Sequence, residues 1–127
     1  VDKGADDLAG KSVGAQRSTT AAEYLAKNFP KATPKLYDTQ DNAYLDLESG
    51  RIDLMISDSA PALYWLKTAK GQGFEVKGQP INIDDKIAIA FRQNDPLIGK
   101  FNTALAALKA NGTYDKISQK YFADLPK

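Results

Sequence analysis

The sequence predicts an α/β fold built on a parallel sheet, and three observations carry that expectation. Short β-like runs alternate with helical stripes from Lys11 onward. Cap and turn residues stand at most of the junctions. The most apolar run, Ile52-Asp-Leu-Met-Ile-Ser57, has the length and apolar character of a buried strand, and its composition predicts a central place in the sheet. Strand–helix repeats of this length imply parallel strands joined by right-handed crossovers.

Taken in order, Lys11-Ser-Val-Gly-Ala-Gln16 is small and alternating, as a buried strand would be. Thr20-Ala-Ala-Glu23 has the form of a capping box, in which hydroxyl and carboxylate satisfy each other's backbone amides. Ala22, Leu25 and Phe29 follow on one helical face, and Pro30 ends that helix. Lys35-Leu-Tyr-Asp38 reads as a second strand, with Thr39 as the next N-cap. Ala43, Tyr44 and Leu47 form the second apolar stripe, and Gly50 supplies the left-handed residue that helix ends commonly need.

Beyond the third strand, Ser59 and Pro61 mark a helix start, since proline is tolerated in a first turn. Ala62, Leu63, Leu66 and Ala69 give this helix its buried side, and Gly71-Gln-Gly73 stops it. Phe74-Glu-Val76 reads as a short fourth strand and Lys86-Ile-Ala-Ile-Ala-Phe91 as a further apolar one. Asp95-Pro96 opens a long helix with the stripe Ile98, Phe101, Leu105 and Leu108; Asn111-Gly112 breaks it, and Thr113 begins a last helix. The character of the chain changes near Asp84. The part before it closes as an α/β unit, whereas the part after it offers one strand and two helices whose apolar face needs a cover.

Composition narrows the function. The 127 residues carry 17 basic and 16 acidic side chains, a formal net charge of +1, with lysines and acids interspersed. Such a balance makes no field for polyanions, so nucleic acid is not an expected partner. No run is long enough to span a bilayer, and no signal segment opens the chain. Cysteine and histidine are both absent. Disulfides, thiolate nucleophiles, Cys/His zinc sites and histidine triads are therefore excluded, and no cofactor or metal is expected.

Four segments in order resemble a known family: Gly10-Lys-Ser-Val-Gly-Ala-Gln-Arg-Ser-Thr-Thr20, Tyr37-Asp-Thr-Gln-Asp-Asn-Ala-Tyr-Leu-Asp-Leu47, Gly50-Arg-Ile-Asp53 with Asp58, and Asn111-Gly-Thr-Tyr-Asp-Lys-Ile117 with Lys120-Tyr-Phe122. They look like family 3 extracellular solute-binding proteins, most of all the lysine/arginine/ornithine and histidine receptors of ATP-driven importers. The resemblance implies a type II periplasmic-binding-protein architecture of two α/β lobes with the ligand between them. On that basis residues 1–84 correspond to the ligand-closing lobe two. Residues 85–127 correspond to a hinge strand and the carboxy-terminal segment of lobe one. The front of lobe one has no counterpart here, so the chain is expected to be a fragment of a periplasmic receptor.

The resemblance also assigns a site. Asp58, at the carboxyl end of an apolar strand, stands where open α/β sheets place their ligand crevice, and by resemblance its carboxylate receives the ligand's α-ammonium. An N-cap for the helix opened by Pro61 is the plainer alternative. Ser18-Thr-Thr20 leads into a helix whose free amides and dipole suit a carboxylate. The resemblance gives the ligand α-carboxylate to Thr20, with Thr19 beside it; simple helix capping is compatible. Gln16 and Arg17 line the same turn, Arg17 being equally at home as a solvated rim charge. Related receptors often carry an apolar residue where Gln16 stands and a glutamine where Ala21 stands. Asp53 precedes Asp58 by five residues in a strand, which turns the two carboxylates to opposite faces and disfavours an acid–base pair. Tyr64 and Trp65 have helical packing positions.

The leading expectation is capture of a polar or cationic amino acid, arginine-, lysine- or ornithine-like, for a membrane ABC permease. A dehydratase-type enzyme and a receptor sensor domain are the alternatives on the same fold. One lobe offers about half of the contacts, so binding by this chain alone is expected to be weak. The uncovered stripe of Ile98, Phe101, Leu105 and Leu108 predicts self-association, for instance as a homodimer that swaps its tail.

Overall fold

The structure is a computed structural model that describes residues 8–78, 80–81 and 86–123. The chain divides into two compact units, Val1–Gln79 and Pro80–Lys127. The change of character expected near Asp84 falls outside the described residues.

The first unit is a three-layered α/β structure. Its strands are β1 (Ser12–Gln16), β2 (Thr33–Tyr37) and β3 (Leu54–Met55), and its helices are α1 (Thr20–Asn28), α2 (Gln40–Glu48) and α3 (Ser59–Leu66). The sheet is parallel, in the order β2-β1-β3. Register runs from Ser12 opposite Thr33 to Gln16 opposite Tyr37 on one side, and pairs Val13 with Leu54 and Gly14 with Met55 on the other. All three strands therefore end at one rim.

The alternation of β1 explains its place. Val13 and Ala15 are fully buried and pack with Leu25 of α1, joined by Ala22, Phe29, Leu54 and Ile56. Gly14 points the other way, where an added Cβ would lie 2.5 Å from Cδ1 of Ile52 and 3.3 Å from the Tyr37 ring. The small residue lets Ile52, Tyr37 and α2 close over that face, where Ala43 and Tyr44 are buried. Tyr37 donates to Asp46 Oδ2 of α2 at 2.8 Å, and Arg51 donates to Oδ1 at 3.0 Å, which fixes α2 to the sheet. Burial and the Asp46 carboxylate push the Tyr37 hydroxyl above its ordinary pKa. Trp65 of α3 stacks on Tyr44 at 4.4 Å between centroids and meets Phe74 at 5.2 Å, so it packs as its helical position suggested.

Several expectations are corrected. The apolar run 52–57 contributes only Leu54–Met55 as strand, and it lies at an edge; β1 is central. Hydrogen-bonded pairing, not apolarity, sets strand length, and Ile52 is buried without belonging to the ladder. The segments 74–76 and 86–91 form no strand, because neither meets a partner strand among the described residues. The buried side expected for α3 is only half-buried, and Ala69 lies exposed beyond the helix end. The cap of α1 is Thr19, one residue before the expected Thr20: its Oγ1 accepts from Ala22 N at 3.2 Å and donates to the Gln16 carbonyl at 2.7 Å. Thr39 caps α2 as expected, and Gly50 has φ of 71°.

The second unit contains α4 (Leu97–Ala110) and α5 (Thr113–Phe122). Asp95 Oδ1 accepts from Leu97 N at 2.9 Å at the start of α4. Gly112, with φ of 79°, separates the helices, and Asn111 Oδ1 accepts from Thr113 N at 2.9 Å. Phe91 packs edge-on against Phe101, with centroids 5.2 Å apart.

Candidate functional site

Parallel strands that stop at one rim deliver the start of every following helix to that rim. In the first unit this places Thr19 and Ala21 of α1, Gln40 of α2, and Asp58 and Pro61 of α3 around one open hollow. Gln16, Ile56 and Ser57 complete its lining, and its volume is about 170 Å³. Three of the residues expected at a site, Gln16, Thr19 and Asp58, are thus brought together. The side chains of Arg17, Ser18 and Thr20 are not part of the lining and are exposed at its edge.

Asp58 occupies the N-cap position of α3, yet its side chain makes no capping hydrogen bond. The carboxylate is exposed and borders the hollow. The plain structural role of Asp58, capping, is therefore not what its carboxylate performs. Ser57 Oγ donates to the Asp58 carbonyl at 3.2 Å and steadies the backbone there.

At the facing element, the first turn of α1 has spent two of its amides. Ala22 N bonds to the Thr19 hydroxyl, and Glu23 N to the Thr19 carbonyl at 3.2 Å. The amides of Thr20 and Ala21 have no carbonyl within their own helix, as holds for any first turn. They sit at the positive end of the helix dipole. The turn before them is held by β2: Arg17 N donates to the Tyr37 carbonyl at 2.8 Å, and the Arg17 guanidinium lies 3.4 Å from Asp38 Oδ1. Ser18 bridges the turn in the left-handed region, with φ of 57°.

Asp53 lies at the other end of the strands. Its Oδ2 accepts from Ser12 N at 2.8 Å and from Ser12 Oγ at 2.7 Å. Those bonds, the hydroxyl's first, hold its carboxyl below the usual range. The register of β1 puts Ser12 at the opposite end from Gln16, so Asp53 and Asp58 are separated by the length of the sheet. Among the described residues no group of three or more carboxylates is placed to hold a metal ion, and no helix is long and apolar enough to cross a membrane.

Comparison with known proteins decides the family. Residues 18–124 match the model of the bacterial extracellular solute-binding proteins, family 3. The chain belongs to that family. As a family 3 solute-binding protein it is 40% identical over 119 residues to ABC transporter arginine-binding protein 1 of Escherichia coli K12, covering 91% of this chain and 49% of the relative. It is 37% identical over 125 residues to the L-arginine-binding protein of Pseudomonas aeruginosa, covering 92% and 48%. An ancestral arginine-binding protein solved with arginine superposes with a TM-score of 0.75 at 32% identity, over 95% of this chain and 54% of that one. This family 3 chain therefore spans about half the length of the curated relatives it matches.

Gln40, Ile56, Ser57 and Pro61 were not foreseen at the site. Only Gln40 carried a signal, as the first helical residue after the Thr39 cap, the position that Thr20 holds after Thr19.

Proposed function

We propose that the first unit is the ligand-closing lobe of a periplasmic receptor that captures a cationic amino acid for an ABC importer. The second unit would then be the hinge and return segment of the other lobe. The observation that carries this reading is the Asp58 carboxylate, which makes no capping bond and borders the same hollow as the start of α1. A carboxylate and a helix tip on one rim match the two charges of an amino acid: Asp58 takes the α-ammonium, while the amides of Thr20 and Ala21, with the Thr20 hydroxyl, take the α-carboxylate. Ser18 and Arg17 shape the turn that holds those amides. The relatives named for arginine supply the ligand class and the transporter.

The size of the hollow supports a half-site. Complete small-molecule pockets hold about 300–1,000 Å³, against about 170 Å³ here. Desolvating both ligand charges costs more than one lobe's hydrogen bonds return, so affinity is set by a second wall. Catalysis is disfavoured, because the nearest acid in sequence, Asp53, is bound to Ser12 at the far end of the strands. The exposed stripe of α4 supports pairing with a second copy of this chain.

Nitrogen-15 amide spectra during titration with L-arginine test the site. Residues 19–21 and 57–59 should shift in fast exchange, with a dissociation constant of about 1 mM or weaker. Asp58→Asn should abolish those shifts and leave thermal stability unchanged, since the Asp58 side chain makes no capping bond to lose. Undiminished arginine binding by Asp58→Asn would overturn the assignment, and micromolar binding by the intact chain would overturn the half-site.

A further inference from the structure

The hollow's polar side chains can be sorted by what each has already committed. The Thr19 hydroxyl donates its proton to the Gln16 carbonyl, and the Ser57 hydroxyl donates its own to the Asp58 carbonyl. Gln16 Nε2 is turned to the Asp38 carbonyl at 3.4 Å, and Gln40 Nε2 to the Met55 sulfur at 4.0 Å. A carboxamide is planar, with donor and acceptor at opposite corners, so engaging the nitrogen leaves the oxygen to face elsewhere. The two hydroxyl protons and one N–H of each carboxamide are thus engaged, and the hollow is left rich in acceptors: Gln16 Oε1, Gln40 Oε1 and the Asp58 carboxylate.

We infer that Gln40, acting with Gln16, is a specificity-determining residue that selects ligands whose side chain ends in a multi-donor cationic group. The inference rests on the amino-acid site proposed above and adds to it the residues that read the side chain. A guanidinium or ammonium brings several N–H donors and no acceptor, which complements a wall rich in oxygen acceptors that ends in a carboxylate. A carboxylate side chain would meet three acceptors and be repelled. An aliphatic side chain would leave the two amide oxygens desolvated without partners.

The test compares L-arginine with L-norvaline, which shares the α-groups and lacks the guanidinium, by amide titration of the intact chain. Arginine should bind more tightly, and Gln40→Leu or Gln16→Leu should each lower the arginine-to-norvaline ratio about three- to tenfold while norvaline affinity holds. Gln40→Glu should raise the ratio; an acid in the first turn of α2 is also compatible with the helix, so this variant remains informative if the leucine variants fold poorly. An unchanged ratio in all three variants, with arginine still bound, overturns this inference and leaves the amino-acid site standing. Failure of both amino acids to shift any amide overturns the site itself, and the inference with it.

Discussion

Asp53 shows how a single acidic residue can be structural while another of the same type five positions later borders the open hollow. Its carboxylate accepts two bonds from Ser12 and has a lowered pKa, so the charged form is favoured in the folded state. Linkage then fixes the sign: the contribution is complete above the ordinary aspartate value of about 3.9 and fades as pH falls through the lower folded value. The denaturation midpoint of Asp53→Asn should lie below that of the parent at neutral pH, and the gap should narrow on acidification through that window. A gap independent of pH would rule the argument out. Asp58 makes no comparable bonds with its neighbours. The sequence placed both acids on one apolar run, and only the parallel register, with Ser12 beside Asp53, separates their roles.

At the scale of elements, caps decide where the site's helix tip stands. Thr19 both accepts from Ala22 N and donates to the Gln16 carbonyl, tying the start of α1 to the end of β1. Thr19→Ala should therefore cost about 1 kcal/mol, the usual value of a lost N-cap. Thr20→Ala should stay within about 0.5 kcal/mol, as exposed surface changes do. Urea denaturation of the two variants checks both; equal losses would return the cap to Thr20. Among the described residues the five α-helices were legible because hydroxyl caps, glycines and prolines act within a few residues of themselves. Strands were less so. The apolar runs 52–57 and 86–91 have the side chains of strands, but a strand also needs a neighbour, and neighbours are set by distant parts of the chain. The same reason hid Ile56 from the site: it reaches the hollow through sheet order, which no local spacing records.

For the molecule as a whole, the second unit carries apolar side chains in the open. Ile98, Phe101, Leu105 and Leu108 are 38–48% exposed along α4, and Ile117 and Tyr121 of α5 are 52% and 46% exposed. Apolar patches of this kind promote association. Light scattering should give a mass that rises with concentration, and Phe101→Asp should return it toward that of one chain. A constant single-chain mass for the parent would refute pairing through this face. The central position of β1 has another consequence. It is hydrogen-bonded along both edges, whereas β3 is held by a ladder only two residues long. In deuterated water β1 should be the last segment to give up its protons and β3 among the first of the sheet. The rail that carries the α1 tip is then held along both edges while the rail that leads to Asp58 is held along one, so the aspartate's side of the hollow is the one that gives way more readily.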